Sequence, residues 1–122
     1  MDIRVHYLLA FMETNLERNI LLSELASLTR LSNSRLRHLL KTETGLSPKQ
    51  TLSNLRLSRA KVLLEKTPLS IDQIALKVGW QDRSHFERRF KRLFGMTPAQ
   101  YRNQEQFKFG PNGSDRQQAK WP

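Results

Sequence analysis

The sequence predicts an all-α chain: two similar helical subdomains joined by a long connecting helix, about seven helices in all. Three observations carry this. Apolar residues recur at helical spacing, as Phe86, Phe90, Leu93 and Phe94 do at i, i+4, i+7 and i+8. Strand-like alternation is scarce, and the chain holds only five glycines. The punctuation also repeats: Gly45-x-x-Pro48-x-Gln50 recurs as Gly95-x-x-Pro98-x-Gln100, offset by fifty. At that same offset Leu36 and Leu40 recur as Phe86 and Phe90, while upstream Leu22, Leu25 and Ala26 recur as Ile71, Ile74 and Ala75, offset by forty-nine. One extra residue therefore sits in the second copy's turn, near Gln81. Each copy reads as a helix-turn-helix unit.

Taken in order, residues 3–16 read as a first helix with Val5, Leu8, Phe11, Met12 and Leu16 on one face. The polar stretch 15–19 breaks it. Residues 22–28 form a short second helix, with Leu22, Leu25 and Ala26 inward, and 29–32 a turn. Ser32 then caps a third helix over 33–44, with Leu36, Leu39 and Leu40 inward and Arg35, Arg37, His38 and Lys41 outward; Gly45 ends it. Ser47, Pro48 and Gln50 restart the chain as a connecting helix over 49–66, with Leu52, Leu55, Ala60, Leu63 and Leu64 inward. Thr67-Pro68 stops it. Such a connector is ~26 Å long, against ~34 Å between successive major grooves on one face of DNA.

The second unit repeats the grammar. Ser70 and Gln73 are spaced as a capping box, residues 78–82 form a tight turn, and Asp82 caps the next helix. That helix has an aromatic back and a basic front of Arg83, Arg88, Arg89, Lys91 and Arg92 against one acid, Glu87. Gly95 ends it, and residues 97–100 start another. The expected organisation is a first subdomain over 1–50, the connector over 49–66, a second subdomain over 68–102 and a disordered tail over 103–122. The tail reading rests on the turn-rich run 110–114 and the loss of periodicity after it.

Charge narrows the partner. The 122 residues carry 21 basic and 11 acidic side chains, a formal +10, yet residues 1–30 hold three basic and four acidic ones. The surplus lies with the basic helices, which favours a polyanion: nucleic acid first, anionic membrane second. No cysteine is present, which excludes disulfides, thiol nucleophiles and cysteine-rich zinc sites. His38 and His85 have no spacing suited to a metal, and Glu43, Glu65 and Asp72 no pairing suited to acid–base catalysis. No apolar run reaches membrane-span length, so a soluble intracellular protein that is not an enzyme and needs no cofactor is expected.

The second unit reads I-A-x-x-x-G-W-x-D-x-S-H-F-x-R-x-F-K-x-x-F-G-x-T-P-x-x-Y-R over residues 74–102. With Arg56-Leu57-x-x-Ala60-x-x-Leu63-Leu64 in the connector, it resembles the DNA-binding domain of the AraC/XylS family of bacterial transcription regulators. The resemblance covers residues 3–102. It implies a cytoplasmic, sequence-specific double-stranded-DNA-binding regulator, usually an activator that touches RNA polymerase, here a monomer with a recognition helix in each of two neighbouring major grooves. It also implies either a short stand-alone member or the C-terminal part of a longer regulator.

Carried over by motif, the base-reading positions fall on Ser34, Arg37 and His38 in the first recognition helix, and on Arg83, Ser84, Glu87 and Arg88 in the second. The helical wheel agrees: Ser34 and His38 point away from Leu36 and Leu40, as Ser84 and Arg88 point away from Phe86 and Phe90. Arg37 and Arg88 suit guanine, and Glu87 suits cytosine N4. Phosphates would be met by Lys41, Lys49, Lys91 and Arg92, and by backbone amides near Ser47 and Thr97. Trp80 stands where the family often has phenylalanine, and Leu52 where it often has an aromatic. Ser34 is short for a base reader, so the first unit is expected to specify less sequence. The competing expectation is a degenerate member that docks on RNA polymerase or another regulator without reading DNA; the intact basic faces argue against it.

Overall fold

The structure is a computed structural model that describes residues 1–109, with side chains through residue 105. Among the described residues it has seven helices and no strand: α1 (Ile3–Glu13), α2 (Leu22–Thr29), α3 (Asn33–Thr44), α4 (Pro48–Lys66), α5 (Ile71–Lys77), α6 (Arg83–Phe94) and α7 (Pro98–Phe109). None is long and apolar enough to cross a membrane.

Two separate cores form. Val5, Leu8 and Met12 of α1, Leu25 and Ala26 of α2, and Leu36 and Leu40 of α3 close around Ile20. Ile74, Ala75, Val78, Trp80, Phe86 and Phe90 close on Leu57, Ala60, Leu63 and Leu64 of α4, with Phe94 and Tyr101 packed against them. The connector serves both. Leu52 and Leu55 in its first half lie half-buried on the aliphatic core, while Leu57 onwards belongs to the aromatic one. Thr51 and Leu57 were not among the expected inward positions, yet both are buried. Thr51 fits because its hydroxyl donates to the Ser47 carbonyl at 2.8 Å.

Local chemistry sets the helix starts. Ser47–Gln50 and Ser70–Gln73 are complete capping boxes, and Ser32 accepts from the Arg35 amide. Helices α3 and α6 both stop at a left-handed glycine, Gly45 at φ 78° and Gly95 at φ 84°.

Three expectations are corrected. The first helix ends at Glu13, short of residue 16, because Thr14 Oγ1 and Asn15 Nδ2 donate to the Ala10 and Phe11 carbonyls and compete for its last turn. Leu16 is buried all the same, in the segment beyond. Leu93 is exposed at 43% rather than inward; its counterpart fifty residues earlier is the charged Glu43, which accepts from the Asp2 amide. The tail expected from 103 begins as helix, since α7 runs to Phe109. Its Asn-Gln-Glu-Gln run forms helix without an apolar stripe. Residues 110–122 of the expected tail lie outside the described residues.

Two arginines act inside the fold. Arg102 Nε and Nη2 donate to the carbonyls of Leu64 (3.3 Å) and Thr67 (3.0 Å), and Nη1 to that of Leu69, holding the turn after α4. Arg56, half-buried where α4 passes from one core to the other, donates from Nε to the Leu16 carbonyl (3.0 Å) and from Nη2 to that of Arg18 (2.9 Å).

Candidate nucleic-acid interface

α3 and α6 are each twelve residues long, begin fifty residues apart, and are held from behind by two fully buried side chains: Leu36 and Leu40 in one, Phe86 and Phe90 in the other. Their opposite faces are therefore turned outward. On α3, Ser34, Arg37, His38 and Lys41 are exposed, as are Ser84, Arg88, Lys91 and Arg92 on α6. Of the cations in these two sets, none makes an ion pair among the described residues.

Arg83 and Glu87 are different. Arg83 Nη1 lies 3.2 Å from Asp72 Oδ1, and its Nε 3.6 Å from Glu87 Oε2. Asp72 and Glu87 thus share one guanidinium at the start of α6. These are surface pairs worth at most about 1 kcal/mol, so a base edge can displace them. They leave Ser84 and Arg88 as the α6 positions already open.

The helix starts offer fewer amides than the sequence suggested. The Ser47 N–H donates to Gln50 Oε1 at 3.0 Å and the Thr97 N–H to Gln100 Oε1 at 2.9 Å. The amides of Gln50 and Gln100 return to Ser47 Oγ and Thr97 Oγ1, each at 3.1 Å. Pro48 and Pro98 have no N–H. The donors left at these starts are the amides of Lys49 and Ala99. At the start of α6, the Asp82 carboxylate accepts from Ser84 (2.9 Å) and His85 (3.4 Å).

Shallow depressions connect the two faces. Arg37, Ser47 and Lys49 line one beside the start of α4. Lys49 then lines a second, with Gln50, Ser53, Trp80, His85 and Arg89. Arg89 and Arg92 line a third, with Gln50 and Asn54. A chain of cations therefore runs from α3 across the first turns of α4 to α6. His85 and Arg89 were not on the sequence list of contacts; they flank the aromatic back, and only the approach of α4 turns that flank into a groove. His85 stands edge-on to Trp80 at 5.1 Å. Trp80 Nε1 is buried without a hydrogen-bond partner. Among the described residues no group of His, Asp and Glu is gathered closely enough to hold a metal ion.

Comparison with known proteins gives a consistent pattern. The helix-turn-helix domain family matches residues 25–104. The HTH-type transcriptional activator RhaS of Klebsiella pneumoniae (strain 342) is 36% identical over 101 residues, which are 83% of this chain and 36% of that protein. The HTH-type transcriptional regulator MtrA of Neisseria gonorrhoeae is 35% identical over 83 residues, 68% of this chain and 28% of that one. The chain thus spans about a third of the length of the curated relatives it matches. A solved transcriptional regulator from Chromobacterium violaceum, described as an AraC-type DNA-binding domain-containing protein, matches with a TM-score of 0.80 at 31% identity, covering 84% of this chain and 91% of that one. The DNA-binding domain of AdpA, a global transcriptional factor solved in complex with a target DNA, matches with a TM-score of 0.79 at 25% identity, covering 84% and 93%.

Proposed function

Because this chain belongs to the AraC/XylS family of helix-turn-helix transcription regulators, we propose that it binds double-stranded DNA sequence-specifically and regulates transcription, α3 and α6 entering neighbouring major grooves. The observation that carries this is the pair of twelve-residue helices, each buried behind and open in front, fixed to one connector. Ser34, Arg37 and His38 read bases from α3; Ser84 and Arg88 read from α6, with Arg83 and Glu87 released from each other to join them. Lys41, Lys49, Lys91 and Arg92 meet phosphates, with the hydroxyls and neighbouring amides at Ser47 and Thr97 at the groove edges. One chain carries both readers, so a monomer suffices and the preferred site is asymmetric. Activation through contact with RNA polymerase follows the same family logic, RhaS being named an activator.

The direct test is selection of bound sequences from a random duplex library by the 122-residue chain at near-physiological salt. One asymmetric motif with two blocks about ten base pairs apart is expected. Salt-sensitive binding without enrichment would reduce the chain to a non-specific basic module. A single block would remove one helix from the readers.

A further inference from the structure

Apart from α4, the helices of each unit pack mainly on helices of the same unit. The two cores share no residue. A second link nevertheless exists off the axis of α4, where three elements meet. The segment after α1 belongs to the first unit: Asn15 Nδ2 donates to the Phe11 carbonyl at 2.8 Å, and Arg18 pairs with Glu24 of α2 while lying over the Phe11 ring. Leu16 of that segment is buried yet belongs to neither core. Its carbonyl, and that of Arg18, are held by the Arg56 guanidinium.

From the other side comes Gly79 of the second unit, at φ +95°. A Cβ at Gly79 would run into the Leu16 carbonyl oxygen and would stand 2.6 Å from Arg56 Nε. The turn of one unit is therefore pressed against the loop of the other, with a connector arginine between them. Burial of this guanidinium lowers its pKa, as expected for a cation taken out of water to serve two carbonyls. Lys77 and Glu17 add a looser exposed pair across the same seam at 3.9 Å.

We propose that this junction of Arg56, Gly79 and the Leu16–Arg18 carbonyls fixes the phase between the two recognition helices, so that the spacing of the two DNA blocks is chosen by residues that read no base. The proposal rests on the two-groove reading above. One base pair of spacer moves the second block by about 3.4 Å and turns it by about 35°. A helix pivoting only on α4 has side-chain slack to follow part of that; a unit also seated on the junction does not.

The test uses Arg56→Met, which keeps the apolar stem and removes the donors, and Arg56→Lys, which keeps the charge but cannot hold two carbonyls in one plane. Binding is measured to the selected site and to sites with the spacer changed by one or two base pairs, with each isolated block as control. The unaltered chain is expected to lose at least tenfold at one base pair, and both variants less than threefold, with single-block affinity unchanged. If Arg56 instead met a phosphate, Met would weaken every site alike and Lys would restore it, which would overturn the proposal.

A second readout needs no DNA. The chain has no cysteine, so Ser23→Cys and Gln104→Cys introduce two specific spin-label sites, one on each unit. The distance distribution between them should be narrow, and at least twice as wide with Arg56→Met. An unchanged width would refute the junction even if DNA reading stands. A widened distribution in a chain that selects no DNA motif would refute the two-groove reading alone.

Discussion

Leu36 and Leu40 occupy in the first unit the places that Phe86 and Phe90 hold in the second, and Thr51 the place of Tyr101. The backbones beneath them match closely. The Leu31 amide donates to the Ala26 carbonyl at 3.0 Å and the Trp80 amide to that of Ala75 at 2.8 Å; just before each, Arg30 donates to Ser27 at 3.2 Å and Gly79 to Leu76 at 3.1 Å. Arg30 and Gly79 are thus the same left-handed turn residue, at φ 58° and +95°. Only the second must be glycine, because only the second is pressed against the other unit. A repeated backbone has been filled with small aliphatics on one side and rings on the other, and one copy of its turn has become a contact surface.

That contrast is broken most severely in the aromatic core. Phe86→Ala removes a fully buried ring that touches Trp80 at 6.1 Å and Phe90 at 5.9 Å between centroids. A loss of about 3–5 kcal/mol is expected, against about 2–5 kcal/mol for Leu36→Ala in the aliphatic core. Urea unfolding of both variants checks this, and a loss for Phe86→Ala below about 3 kcal/mol would mean that the rings are poorly packed. The turn comes next. Gly79→Ala combines a left-handed strain with a clash against backbone, for an expected cost of about 2–5 kcal/mol. Its counterpart Arg30→Gly should change stability by less than about 1 kcal/mol, since relief of strain and the added freedom of the unfolded chain nearly cancel. Thermal melts showing similar effects for the two would refute the claim that the junction, rather than the turn itself, demands the glycine.

A further contrast concerns the outward faces of α3 and α6. Offset by fifty, Ser34 matches Ser84, His38 matches Arg88, and Arg37 stands where Glu87 does. A cation and an anion at equivalent positions favour different bases, guanine against cytosine. Arg88→Ala is expected to cost about 1–3 kcal/mol on the selected site and to relax one position, whereas Lys91→Ala should weaken all sequences alike. His38→Ala should cost less than Arg88→Ala, an imidazole offering fewer donors than the bidentate guanidinium fork. Titrations on the selected duplex and on single-base variants would sink this ordering if the relaxed position followed His38.

Most of the architecture was legible in the sequence, and the reasons are local. Ser32, Ser47, Ser70, Asp82 and Thr97 each announce a helix start through a hydrogen bond to an amide two or three residues on, so the caps follow from spacing alone. The second turn is longer by the one residue the offset implied. What stayed hidden is carried by distant partners. The carbonyls that hold Arg56 lie 40 and 38 positions away in sequence, and those that hold Arg102 lie 33 to 38 away. Nothing near either arginine marks it as structural. Both belong to the motifs quoted for the family resemblance, and a cation in such a motif but off the recognition helices was the available signal. The pairing of Arg83 with Asp72 was hidden for the same reason, since it bridges α5 and α6.

The smallest expected effect sharpens the comparison at the start of the supporting helices. Offset by forty-nine, Leu21 matches Ser70. Ser70 closes a full capping box with Gln73, whereas Leu21 caps α2 with no side-chain hydrogen bond. Leu21 is already extended, at φ −87° and ψ 146°, close to the Ser70 values of −68° and 163°. It is also 56% exposed, so its replacement forfeits little buried area. In Leu21→Ser the new hydroxyl can share the Glu24 amide, which already donates to the Leu21 carbonyl at 3.1 Å. The return half of a capping box needs no new group: the Glu24 carboxylate, its pKa held below the usual value first by Arg18 and also by the Leu21 backbone N–H, already lies against that N–H. Because the Glu24 amide already has a partner, the gain should sit at the low end of a cap's worth, about 0.5 kcal/mol. Ser70→Ala, which removes the hydroxyl that accepts from the Gln73 amide but keeps the N–H that donates to Gln73 Oε1, should lose at least as much as Leu21→Ser gains. Melting the two variants beside the unaltered chain decides the matter. A Leu21→Ser variant that melts no higher would mean that the bonds already made between Leu21 and Glu24, rather than the missing hydroxyl, govern the start of α2.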